Sequence, residues 1–204
     1  GDWSSDVCSS DLQPRKKSLV TSSRISSRKN INKMINLIDF IKKDKINNIN
    51  LTIYGSPITK QDKLYAQYLN QLIKKLNLES NIRIFKAVDH GELNKYYEDH
   101  NIYLNFSETA LDKSVLEAMS TGIPILSCNE CFIEAIDDFY LKDLVTFDRF
   151  DKIEKVADKI YKLLNFTAKD FDQYVLKSYQ FIFKNHSIQN LTNSILENIF
   201  SDIS

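Results

Sequence analysis

From residue 18 to residue 147 the chain alternates short apolar runs with longer stretches whose apolar residues recur at helical spacing, and few architectures accommodate that alternation. Residues 18–23, SLVTSS, form a β-branched run that ends at Arg24. Residues 30–45 then set Ile31, Met34, Ile35, Ile38 and Ile41 on one helical face. Residues 48–55, NINLTIYG, read as a buried strand closed by Gly55 and Pro57, and 61–76 as a second amphipathic helix. Strand patterns follow at 81–85, 101–106 and 123–128, separated by helical ones at 92–99 and 113–120, with a sixth strand expected at 144–147. After Asp151 only helices are predicted, at 153–164, 168–183 and 187–199; no Gly-, Pro- or Ser-rich linker precedes them, so they should pack on the sheet. Apolar strands joined by amphipathic helices pair in parallel through right-handed crossovers. The expected class is therefore α/β: a doubly wound, Rossmann-like parallel sheet of about six strands followed by C-terminal helices.

Composition narrows the functional classes. Lysine plus arginine and aspartate plus glutamate both number 27, so the overall charge calls for neither nucleic acid nor an anionic membrane. No apolar run approaches the roughly 18 residues of a membrane span. Residues 2–12, DWSSDVCSSDL, read as the in-frame translation of a sequencing adapter, to be set aside as an artefactual, disordered tail. Without Asp2, Asp6 and Asp11 the acidic residues fall to 24 against 27 basic, a mildly basic balance. A junction there implies that natural coding sequence upstream was lost, and that the true domain spans 13–204.

Cys128 and Cys131 form a C-x-x-C pair. Zinc takes about four ligands. No second pair exists outside the tail, and the histidines are only His90, His100 and His186, so the pair is read as structural thiols in a reducing cytoplasm. His90 is read as a loop residue, His100 and His186 as surface residues.

In a doubly wound sheet, ligands sit beyond the carboxyl ends of the strands, where strand order reverses. Segments 24–29, 55–60, 106–112 and 128–131 should gather there. Arg24 and Lys29 flank the first strand-to-helix turn, and two cations beside free backbone N–H groups suit a diphosphate. Asp112 is placed to cap the helix that starts at Lys113. Glu117 lies between Leu116 and Ala118, where a carboxylate needs a polar partner such as a ribose. Gly122 and Pro124 fit a helix end followed by a strand.

Taken in order, SRISSRKNI, LTIYG, NIRIFKAVDHGELNKYY and SETALDKSVLEAMSTGIPIL resemble the C-terminal domain of GT-B-fold glycosyltransferases of the family 4 type, over about residues 19–136. The resemblance implies that Arg24 and Lys29, in R-x4-K spacing, bind the donor diphosphate and stabilise the leaving group. It matches Glu117 to the second glutamate of an E-x7-E motif that holds the donor ribose. It matches Lys86, Ala87 and Val88 to the segment that meets the nucleobase, and Ala110, Leu111, Asp112 and Lys113 to the loop around sugar and phosphates. The first motif glutamate is replaced by Thr109, with Glu108 out of register, and the usual glycine-rich loop by Ala110, Leu111 and Asp112. Asp112 or Glu108 is the expected substitute for the sugar contact, Asp112 being preferred because a residue at this helix start would face the donor. The implied activity is transfer from a nucleoside-diphosphate sugar with retention, no metal or cofactor, in the cytoplasm or peripherally at the inner face of the membrane. The expected partners are an acceptor glycan or lipid-linked glycan and an N-terminal domain outside this chain, which alone would turn nothing over. A nucleotide-sugar 2-epimerase and a non-catalytic module of the same architecture are the alternatives.

Overall fold

Five of the apolar runs become strands: β1 (Lys17–Ser22), β2 (Ile49–Tyr54), β3 (Ile82–Phe85), β4 (Ile102–Asn105) and β5 (Ile125–Ser127). The computed structural model describes residues 17–44, 46–89, 92–108, 111–137 and 139–186. The tail at 2–12, His90, Thr109, Ala110 and the helix expected at 187–199 lie outside the described residues. All strand pairs are parallel, in the order β3-β2-β1-β4-β5, with Leu19 opposite both Leu51 and Ile102, and Ile53 opposite Ile84.

Helices α1 (Ile31–Asp44), α2 (Lys60–Lys75), α3 (Leu93–Tyr97) and α4 (Lys113–Ser120) make the crossovers between successive strands. The right-handed rule places α1 and α2 on one face. The chain reverses direction across the sheet at β1 and β4, which puts α4 on the other. α5 (Glu130–Ala135), α6 (Lys142–Val145), α7 (Ile153–Leu164) and α8 (Ala168–His186) follow. α7 packs mainly on α1 with a smaller contact to β4, and α8 packs on α4, so these two helices rest largely on the flanking helices rather than directly on the sheet as expected. Ile31, Met34, Ile35, Ile38 and Ile41, the apolar face of α1, are each at most 1% exposed. No helix of the described residues is long and apolar enough to cross a membrane.

The sixth strand is a correction. Residues 142–145 close helical turns instead, with Leu144 N donating to Leu141 O at 2.8 Å, and only Thr146 meets Ser127 in a single parallel bridge. Four apolar residues carry no periodicity that separates strand from buried helix, and β5, three residues long, offers little edge to extend.

Two backbone positions set the carboxyl edge. At Gly55 a Cβ would stand 2.0 Å from the Ser23 carbonyl oxygen, so only glycine lets the ends of β1 and β2 approach this closely. Their pairing continues past the strands through Ser23 N to Tyr54 O (3.0 Å) and Ile25 N to Ser56 O (3.2 Å). Gly122 takes φ 81° and ends α4, as its place before Pro124 predicts.

Candidate functional site

The switch between β1 and β4 opens a cleft of about 380 Å³ at the carboxyl edge, within the range of small-ligand sites. Ser23, Arg24, Lys29, Tyr54, Val88 and Asp112 are among its walls. It thus collects three of the four segments expected there. The fourth, around Cys128, lines a smaller concavity of about 180 Å³ together with Lys33 and Arg149, on the α1 side.

Arg24 follows directly after β1. Its guanidinium is about half exposed, and its Nε lies 3.5 Å from Asp62 Oδ2. Asp62 is buried because it completes the capping box of α2: it accepts from Thr59 N at 2.9 Å and Ile58 N at 3.3 Å while Thr59 Oγ1 accepts from Asp62 N. Those backbone donors, more than Arg24, hold its carboxyl below the usual range. The helix start therefore anchors the arginine.

Lys29 ends a single 3-10 turn (Ser27–Lys29), and Asn30 leaves that turn at φ 49°. Asn30 is held there by its own Nδ2, which donates to Phe106 O at 2.9 Å and ties the β1 loop to the end of β4. Asn tolerates this left-handed geometry better than most residues. Lys29 is thereby aimed at the β4 loop, with Nζ 2.6 Å from Asp112 Oδ2 and 3.2 Å from Ser107 Oγ. The two charged side chains are only 15% and 16% exposed, so the pair is little screened.

Asp112 occupies the N-cap position of α4 but makes no side-chain cap bond, contrary to the sequence expectation. Its carboxylate instead accepts from Lys29, from Asn105 Nδ2 (3.2 Å) and from Ser114 Oγ (3.2 Å). A nearby, largely desolvated ammonium group outcompetes the local helix N–H groups. Behind it runs a satisfied polar network that periodicity does not reveal: Ser127 Oγ donates to Asn105 Oδ1, and Asn129 Nδ2 to Ser107 O. Asn129 Oδ1 also caps α5 at Phe132 N. The clusters S-C-N and N-F-S are the only sequence trace of it.

Tyr103, fully buried on β4, donates to Ser22 O at 3.0 Å and lies 2.9 Å from Ser114 Oγ, joining the two rims of the cleft. Burial pushes its phenol well above the usual range, so it stays neutral. Ser23 Oγ is buried without a hydrogen-bond partner among the described residues. Such orphaned hydroxyls are rare in folded proteins. Tyr54, which sequence reasoning did not select, lines the cleft, stacks on Phe85 (5.5 Å) and meets Tyr96 at a tilt of 58° (5.0 Å).

The remaining predicted residues divide. Ala87 N donates to Ser56 Oγ at 3.1 Å, and Val88 packs half-buried against the core, both on the cleft wall. Lys113 also lines the cleft, while Lys86 is exposed and Leu111 packs against the core. Glu117 is half-buried one turn along α4, close enough to Tyr97 that, after burial itself, it helps push that phenol up to about 12. Thr109 and Ala110 lie outside the described residues. Cys128 is buried, its thiol pushed up to about 12 mainly by burial, and Cys131 is exposed; neither is in a disulfide. His100 is half-buried rather than on the surface, its Nδ1 2.7 Å from Tyr96 O. Among the described residues no three His, Cys, Asp or Glu side chains gather as a metal site.

The arrangement as a whole, two cations and a helix start around a switch-point cleft, is one that can bind a phosphorylated ligand. Known structures share its framework. A TarM variant from S. aureus, in complex with Fondaparinux, alpha-GlcNAc-glycerol and UDP, superposes with a TM-score of 0.69 at 22% identity, over 92% of this chain and 35% of that one. Anabaena HepE in complex with UDP superposes at 0.75 with 15% identity, over 92% and 49%. The C-terminal domain of LpcC, a glycosyl transferase group 1 family protein from Francisella tularensis, gives 0.69 at 20% identity, over 86% and 88%. At these identities the likeness establishes the fold, a Rossmann-like GT-B layer. The chain spans about a third to a half of the length of the TarM and HepE chains. No curated protein sequence matches it significantly. The sequence profile described as Glycosyl transferases group 1 matches residues 8–176 of the 204, a span that includes every strand and every candidate site residue. This chain belongs to the glycosyl transferases group 1 family.

Proposed function

We propose that the chain is the donor-binding half of a glycosyltransferase, holding a nucleoside-diphosphate sugar in the cleft between β1 and β4. The observation that carries this reading is the convergence there of Arg24, Lys29, the start of α4 and the orphaned Ser23 hydroxyl. Phosphate oxygens suit the two cations and the N–H groups of a helix start. Two fold relatives crystallised with UDP support the ligand class.

In this reading Lys29 and Arg24 bind the diphosphate and stabilise the charge that develops on it as the sugar departs, which is electrostatic catalysis by preorganised donors. Tyr54 with the segment Lys86, Ala87 and Val88 meets the nucleobase, and Glu117 holds the ribose. Leu111, Asp112 and Lys113 border the phosphates and the sugar. Transfer proceeds with retention and without a metal or cofactor, toward a glycan or lipid-linked acceptor held by a second domain, on the cytoplasmic side. The chain alone then binds nucleotide weakly and turns nothing over.

Titration calorimetry with UDP, GDP, ADP and CDP tests this. One of them should bind in the micromolar to millimolar range, and Arg24→Ala and Lys29→Ala should each weaken it by roughly tenfold or more, the loss of one charge-assisted phosphate contact. Wild-type protein that binds none of them at millimolar concentration sinks the donor-site reading.

A further inference from the structure

Asp112 places an anion of the protein's own inside the proposed diphosphate site. Its side chain leaves the capping role that its position offers. Oδ2 instead takes Lys29 Nζ at 2.6 Å and Asn105 Nδ2 at 3.2 Å, and Oδ1 takes Ser114 Oγ at 3.2 Å. The ammonium group that a diphosphate would use is thus already held by a carboxylate, in a position only 16% exposed. Asn105 and Ser114, its two neutral donors, are both buried, so the carboxylate is fastened from behind and cannot swing freely into solvent.

Resting on the donor-site reading, we infer that Asp112 is an internal competitor for Lys29 that discriminates by ligand charge. An arriving diphosphate must take or share Lys29 Nζ, and the carboxylate then stays within a few ångströms of the phosphate oxygens. Like charges at that range in a poorly solvated cleft oppose binding, and the opposition grows with the charge of the ligand. A nucleoside diphosphate, with a free terminal phosphate whose second ionisation falls near pH 6, carries close to one negative charge more than the same diphosphate capped by a sugar at neutral pH. Asp112 therefore penalises the leaving nucleotide more than the sugar-bearing donor, and favours release of the product.

The test compares wild-type protein with Asp112→Asn, which keeps the size and loses the charge. Calorimetry uses the four nucleoside diphosphates and, for any that binds, its glucose ester. The expected result is a gain of about tenfold in affinity for the free diphosphate and a smaller gain for the ester; in a Lys29→Ala background, where there is no ammonium to compete for, the overall gain shrinks while the excess for the free diphosphate persists. Binding by Asp112→Asn alone supports the proposal equally. Unchanged or weaker binding of the diphosphate overturns it and leaves the donor site standing, and equal gains for both ligands overturn the discrimination. Binding by neither protein removes the donor site itself, and the proposal with it. Asp112→Ser, a good capping residue, repeats the comparison should Asp112→Asn melt below the assay temperature.

Discussion

Gly55→Ala is the substitution that most directly probes how the fold builds the cleft. The added Cβ would lie 2.0 Å from the carbonyl oxygen of Ser23 and 3.3 Å from Ile25 Cγ1, and real contacts of this kind are essentially never under 3.0 Å. The ends of β1 and β2 would have to part by about 1 Å, against close-packed neighbours that resist it. Two backbone hydrogen bonds span that junction: Ser23 N to Tyr54 O and Ile25 N to Ser56 O, at 3.0 and 3.2 Å. At about 1 kcal/mol each, their loss predicts about 2 kcal/mol of destabilisation, a melting-temperature drop of roughly 4–8 °C for a domain this size. Urea denaturation followed by circular dichroism measures it. Because Ser23, Arg24, Tyr54 and Ser56 all line the cleft beside this junction, nucleotide affinity should fall as well. A variant within about 0.5 kcal/mol of wild type, with unchanged affinity, would refute the argument that close backbone approach shapes the site.

Tyr174→Phe should cost about 1–3 kcal/mol by urea denaturation, because the fully buried hydroxyl accepts from Ile125 N at 3.2 Å and donates to Ile123 O at 3.3 Å, both left unpaired. No change would mean that α8 is not anchored to the start of β5 in this way. Thr59→Ala removes half of the α2 capping box and should destabilise by about 1 kcal/mol, and a loss of nucleotide affinity beyond that of a control surface variant would show that the helix start also positions Arg24. Burial lowers the pKa of His100 from its usual 6.5, so the unfolded chain binds the proton more readily and stability is greatest above that value. Melting temperature should decline as pH falls from about 7 to 5.5, less steeply in His100→Gln; an equal slope in both proteins would assign the decline to other groups.

The element types were legible in the chain because they are local. The spacing of Ile31, Met34, Ile35 and Ile38 dictates a helix, and the β-branched runs around Leu19 and Ile53 dictate strands, wherever they end up in space. Arg24 and Lys29 were legible for a related reason: a strand-to-helix turn in a parallel sheet is where ligands bind, and its position follows from the periodicity alone. Runs of four apolar residues carry no such information, and 144–147 became the end of a helix with one bridge. The pairing of charges was also out of reach. Lys29 and Asp112 stand 83 residues apart and meet only because the order β3-β2-β1-β4-β5 lays β1 beside β4. Local rules assign Asp112 to the start of its own helix. The tertiary structure brings a less exposed, oppositely charged partner to it, and in a poorly solvated cleft that attraction exceeds a helix cap.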